Sequence, residues 1–353
     1  MEPPKLPIKF PFDYYDFFGY FFPGIAMVMY GYVFVHTVYG ETVPSVIASF
    51  GVSDMEKAPL LIDLALFVVG VVFVYVVGHV VATFSNLYFD KILMKEVLGY
   101  PFLRLLGMAS RPRPFSRPTY AYCVVLFNLL LIWVAFSPAA IRHDRVAWIL
   151  FYGLMALLGL RIIAKFITDV LSNCKWFKRL RDSRRLAFIW GAPVRYVIDP
   201  IIRLIESILG VDESFPDDFT SRYRSAFQGT YEIDPDKAFS ENYWLSYYGA
   251  AKHSQFSEVV RTWLHLYGFS RNLACASYLA ATSMSIWCLF IAADGEITSA
   301  VRLQLWISIL LGCVFTLRYW VLYYTYYSKN VFRTFLVSCP RDIFTKSFDL
   351  LQD

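Results

Sequence analysis

Six stretches of the chain are predominantly apolar over about 18 or more residues. They run approximately from Phe18 to Val38, Leu60 to Thr83, Thr119 to Phe136, Val146 to Ala164, Leu273 to Ala293 and Leu303 to Thr325. Each can cross a hydrocarbon core about 30 Å thick as a helix, so the pattern predicts six transmembrane helices. The last two belong to longer helical patterns. From a cap candidate at Ser254 there is no proline before Asp294, and Gly268 is the only glycine. The expected helix has about 40 residues and a length near 60 Å, so half of it stands outside the bilayer. The sixth pattern runs from Val301 to about Cys339, where Pro340 follows, and two long antiparallel helices should stand side by side.

The expected fold is therefore an all-α integral membrane protein: six transmembrane helices with a helical cytoplasmic module built on long extensions of helices 5 and 6. Residues 1–83 hold an N-terminal cytoplasmic segment and the first two spans, 84–118 an amphipathic cytoplasmic linker, and 119–164 spans three and four. Residues 165–272 form the cytoplasmic module, 273–325 spans five and six, and 326–353 a cytoplasmic tail. Within the linker, Ser85 to Leu106 reads as an amphipathic surface helix broken near Pro101, followed by the stiff basic connector RPRPFSRP, Arg111 to Pro118. A second surface helix is expected where Asp199 caps Pro200 at the first helical position, with Arg203, Glu206 and Ser207 on one face. Tyr319, Trp320, Tyr323, Tyr324, Tyr326 and Tyr327 suggest an aromatic belt where the sixth helix leaves the bilayer.

Composition agrees. The 353 residues are 57% hydrophobic and 17% charged, against roughly 25% charged in a soluble protein, which excludes a soluble enzyme, a secreted disulfide scaffold and a disordered chain. The charges are unevenly placed: 165–272 alone carries 28 charged residues in 108, the soluble norm, so the low average conceals a globular module. Of 33 Lys and Arg, 2 precede the first span, 6 lie between the second and third, 15 between the fourth and fifth, and 4 after the last. That puts 27 on one side, and the positive-inside rule places this side and both termini in the cytoplasm. The first span follows Asp13 and Asp16, not a basic segment, and lacks a small-x-small cleavage site, so it is read as retained. The six cysteines form no CxxC pair, and no Asn-x-Ser/Thr sequon occurs, in keeping with a bacterial inner membrane.

Ionisable residues in or bordering spans are the sharpest candidates, because each is costly unless paired or hydrated. Asp13, Asp16, His79, Arg161 and Arg318 fall at one depth near the inner surface, where they could line a pore or grip a phosphate; snorkelling and structural ion pairs are the plainer alternative. Near the outer surface His36 and Asp63 could face each other, as a structural pair or a proton relay. In KWFKRLRDSRR, the basic residues Lys175, Lys178, Arg179, Arg181, Arg184 and Arg185 suit anionic lipid or phosphate better than nucleic acid, because the run is juxtamembrane. No GxSxG, HExxH, P-loop or GxGxxG pattern occurs, and no catalytic, cofactor-binding or metal-ligating residue is assigned.

YDFFGYFFPG, Tyr15 to Gly24, opens the first span, and FSRNLACAS, Phe269 to Ser277, opens the fifth. Together these strings resemble uncharacterised multi-pass bacterial inner-membrane proteins, some of them encoded beside anti-phage defence genes. The resemblance implies an inner-membrane immune effector or sensor and assigns no functional residue. The expected function is thus a non-enzymatic effector or sensor that receives its signal on the cytoplasmic side, as an oligomeric pore or membrane-perturbing component. A small-solute channel or transporter is one alternative, with few polar residues in the spans to support it; a lipid-modifying membrane enzyme is the other, without a paired nucleophile and base. The expected partners are the bilayer, anionic lipid at the cytoplasmic face, further copies of the chain and a cytoplasmic protein.

Overall fold

The computed structural model describes residues 16–40, 60–99, 104–107, 116–137, 144–171, 184–211, 214–238, 241–251, 254–292 and 298–339. Among these there is no strand. Helix α1 is Phe17–Tyr39, and α2 is Leu60–Ser85 continued by wide π-helical turns through Asn86–Leu98. Helices α3 (Ser116–Phe136) and α4 (Arg145–Leu171) form the next pair. Then come α5 (Arg184–Pro193, extended by the π turn Val194–Ile198), α6 (Asp199–Leu209), α7 (Asp217–Tyr231), α8 (Pro235–Ala238) and α9 (Glu241–Ala251). Last are α10 (Ser254–Phe290), α11 (Ser299–Val321, with the π stretch Leu322–Ser328) and α12 (Lys329–Ser338). Among the described residues six helices are long and apolar enough to cross a membrane: α1, α2, α3, α4, α10 and the continuous α11–α12. They coincide with the six apolar windows.

Helix α10 lies at the centre, against α11 above all and also against α1 and α2. Its inward face is small, with Ala274, Ala276, Ala280 and Ala281 almost fully buried, so neighbouring backbones approach closely without a strong hydrophobic drive in lipid. The pair α3–α4 joins through α3, and Asp144 fixes their turn. Its carboxylate accepts from the backbone N–H of Val146 (2.8 Å) and Ala147 (3.4 Å), from Trp133 Nε1 (2.8 Å) and from Ser137 Oγ (3.1 Å).

A second apolar core lies beyond the spans. Leu105, Leu106, Phe215, Tyr223, Phe227, Tyr243, Val260 and Phe332 are buried together, bringing the linker, the long charged segment and the chain after the sixth window into one helical module. Tyr267 and Tyr323 pack against this core and against the core of the bundle, so the two are joined at one place.

Four local expectations are corrected. The segment after the second span is no separate surface helix: it continues α2 without a break, buries Phe89, Met94, Val97 and Leu98, and stops at Gly99, two residues before Pro101, with φ of 81° and ψ of 158° that suit glycine. Asp199 does not cap α6, because Ile198 before it is already helical; its carboxylate instead receives Arg117 Nη2 at 2.6 Å. Glu206 leaves the face of Arg203 and Ser207, being buried in a two-pronged pair with Arg104. The aromatic cluster of the sixth helix is no belt toward lipid, since Tyr319, Trp320, Tyr324 and Tyr327 are buried between helices and Tyr326 alone of the six is exposed.

Candidate functional site

The charged residues singled out in the sequence do not form one ring. Asp13 lies outside the described residues. Asp16, at the start of α1, sits beside the Tyr75 hydroxyl of α2. His79, one turn further along α2, stacks on Tyr20 with ring centroids 3.9 Å apart and meets Tyr75 edge-on at 4.5 Å. Asp16 and His79 therefore share the α1–α2 corner. Arg161 is held elsewhere, over the Tyr120 ring at 5.1 Å between α4 and α3. Arg318 is exposed, next to Leu317 and one turn from Val314 on the outward face of α11. His36 stacks on Tyr32 near the far end of α1, while the side chain of Asp63 lies outside the described residues. So do Lys175, Lys178, Arg179 and Arg181, and Arg184 and Arg185 open α5.

The strongest polar constellation is one the sequence did not announce, and it stands where the two cores meet. Arg271 of α10 is buried and forms an ion pair with Asp90 on the α2 extension. The other oxygen of Asp90 accepts from the fully buried Tyr319 hydroxyl of α11 at 2.6 Å. Arg271 Nε donates to Asn272 Oδ1 at 3.3 Å, and Asn272 Nδ2 donates to the Gly19 carbonyl of α1 at 2.6 Å. Four helices are thus tied by one network of five residues, with Tyr267 beneath the guanidinium at 6.0 Å.

Gly19 receives this donor where α1 departs from regular α-helix. In a helix its carbonyl would accept from the residue four positions on, which is Pro23 and has no N–H. The wide turn at Phe17–Phe21 accommodates the ring, and the side chain of Asn272 adds a hydrogen bond to the Gly19 carbonyl. Close by, α1 and α2 touch backbone to backbone. A Cβ at Gly24 would stand 2.0 Å from the Val74 carbonyl oxygen, and one at Gly78 would stand 1.9 Å from that of Tyr20.

Tyr15 to Gly24 and Phe269 to Ser277 thus meet through their described residues: Asn272 bonds Gly19, and Phe269 packs edge-on against Phe18 and Phe22. Chemically the knot is a matched cation and anion, with the Tyr319 hydroxyl donating to the anion. What it can do is hold four helix feet in one arrangement, because removing Asp90 leaves the buried Arg271 without its anion. Among the described residues no three His, Cys, Asp or Glu side chains converge as a metal site. The only sequence sign of the knot was the polar pair Arg271-Asn272 at the threshold of an apolar window; Asp90 and Gly19 are 181 and 253 residues away from their partners. No protein-family model, curated protein or solved structure matches the chain.

Proposed function

We propose that this chain is a non-enzymatic sensor or effector of a bacterial inner membrane, in which the helical module faces the cytoplasm, receives a signal there and hands it to the spans along α10 and α11. The observation that carries this reading is the continuity of α10. It runs unbroken from Ser254 to Phe290, with Val260 in the core of the module and Ala274 to Ala292 marking the core of the bundle. Tyr267 belongs to both, one turn before Arg271. A shift of the module is delivered to the knot without an intervening hinge.

The middle of the bundle is filled by Met284, Trp287, Leu305 and Ile309, so the pore version of the proposal requires several copies of the chain. Anti-phage defence is the setting implied by the resemblance of Tyr15 to Gly24 and Phe269 to Ser277. The test is inducible expression in bacteria with potential-sensitive and permeability dyes, comparing the native chain with Arg261→Pro at an exposed position of α10. A proline there costs the helix about 3 kcal/mol or more. The expected result is depolarisation by the native chain and none by an equally abundant, membrane-inserted Arg261→Pro. Undiminished depolarisation by the variant would remove the lever, and an altered lipid profile without depolarisation would replace it with a lipid-modifying enzyme.

A further inference from the structure

Helices α5 and α6 carry a surface that the module and the bundle leave uncovered. Ile189, Val197, Ile201, Leu204 and Ile208 are each more than half exposed. From Val197 onward they recur every three or four residues, the repeat of one helix face, and Phe188 and Tyr196 widen the same stripe. The 21 residues from Phe188 to Ile208 extend about 30 Å. They contain Arg195, Asp199, Arg203 and Glu206 and two prolines, and they are not among the helices fit to cross a membrane.

Their position is fixed. Tyr122 donates to the Trp190 carbonyl at 2.6 Å, Trp190 Nε1 lies 3.2 Å from Thr119 Oγ1, and Arg117 grips Asp199. All three partners belong to the first two turns of α3, level with the Arg161–Tyr120 contact of the α3–α4 pair. The opposite face is buried through Val194 against Val97 and Ala121. What stays open is therefore an apolar stripe crossing the foot of a span, with cations beside it. Arg203 and Ser207 are exposed along its edge, and the Arg195 guanidinium lies over the Phe188 ring at 4.1 Å. The basic run ending at Arg184 and Arg185 leads directly into it.

We infer that α5–α6 is an in-plane membrane helix: its stripe is seated at the acyl-chain boundary of one leaflet, and Arg195 and Arg203 hold anionic headgroups. Water is the wrong medium for a 30 Å apolar ridge, while the boundary of a leaflet offers hydrocarbon on one side and negative charge on the other. An aromatic ring under a guanidinium and a long aliphatic stem suit that boundary. The inference rests on the membrane setting proposed above and not on the lever, so the two can fail separately.

The test uses the full-length chain in lipid nanodiscs with or without phosphatidylglycerol. Spin labels are placed singly from 196 to 208 in a background with the native cysteines replaced. Oxygen accessibility should peak at 197, 201, 204 and 208, with access to a water-soluble nickel complex at 203 and 207. Native mass spectrometry of the chain with its cysteines intact should find several-fold less retained phosphatidylglycerol for the double variant Arg195→Gln, Arg203→Gln. Uniform access of the nickel complex would overturn the inference, as would spin–spin broadening between copies, which would make the stripe a self-association surface. Equal lipid retention by the double variant would overturn the headgroup contact.

Discussion

Helices α10 and α4 are both built to cross a bilayer, yet they use their apolar residues in opposite ways. About two thirds of the α10 span is buried inside the protein, against about a tenth of the α4 span, although α10 is the less hydrophobic of the two. In water the more apolar helix would be the one inside. In lipid the order reverses, because the outward face must be hydrocarbon and the inward face is where polar groups find partners. Arg271, Asn272 and Ser277 lower the hydropathy of α10 and are all buried; Ile149, Tyr152, Leu160 and Ile162 of α4 are large, apolar and exposed.

The sharpest way to break this contrast is to remove one charge from each environment. Arg271→Ala leaves Asp90 partly buried without its cation and should cost about 1.5–3 kcal/mol, whereas Arg318→Ala, on an exposed face, should change stability by less than about 0.5 kcal/mol. Thermal unfolding in detergent can be followed with a thiol-reactive dye, since Cys275 and Cys288 are buried until the bundle opens. Equal losses for the two variants would erase the distinction.

Glycines sharpen it next. Gly78→Ala forces a methyl group into the Tyr20 backbone and should destabilise by at least about 1–3 kcal/mol. Gly159→Ala on α4 meets nothing within 4 Å and should be neutral or gain up to about 1 kcal/mol of helix propensity.

A smaller effect tests the bond to Gly19. Asn272→Leu removes that side-chain donor and should cost about 0.5–1.5 kcal/mol. Adding Pro23→Ala returns a backbone N–H to α1, so the double variant should lose less than Asn272→Leu alone in the same melting assay. Strict additivity would mean that Asn272 does not stand in for the proline's missing hydrogen bond.

The smallest effect belongs to the turn before α4. Burial pushes the Asp144 carboxyl up, but its bonds to Trp133, Val146, Ala147 and Ser137 together hold it below its ordinary value. A depressed carboxylate stabilises the fold fully above the ordinary range, and the contribution is lost as pH falls through the folded value. Asp144→Asn should cost about 1 kcal/mol at neutral pH, with the gap to the native chain closing only in acid. A gap that persists in acid would point to packing instead of the charged cap.

Why some of this was legible in the chain and some was not follows from range. The spans were readable because length and apolarity are local, and so was the reach of α10, where the lack of proline from Ser254 onward is written in the sequence. The role of Asp199 was misread for a related reason. Asp199 carries a strong local capping signal, but Arg117, more than eighty residues away, decided the outcome. The knot was hidden because every bond in it except Arg271–Asn272 joins distant segments. Periodicity describes one helix at a time and cannot show which polar residues will share an interior.

The bond from Asn272 to Gly19 also bears on how the protein is made. When α1 enters the membrane during synthesis, the side chain that bonds its Gly19 carbonyl is 253 residues from being translated. Asp90 must wait 181 residues for Arg271. The early helices therefore reach the bilayer as an unfinished assembly that α10 closes last among the partners of Gly19. A chain truncated before α10 would leave the Asp90 carboxylate on α2 without its cation and Gly19 without its Asn272 bond.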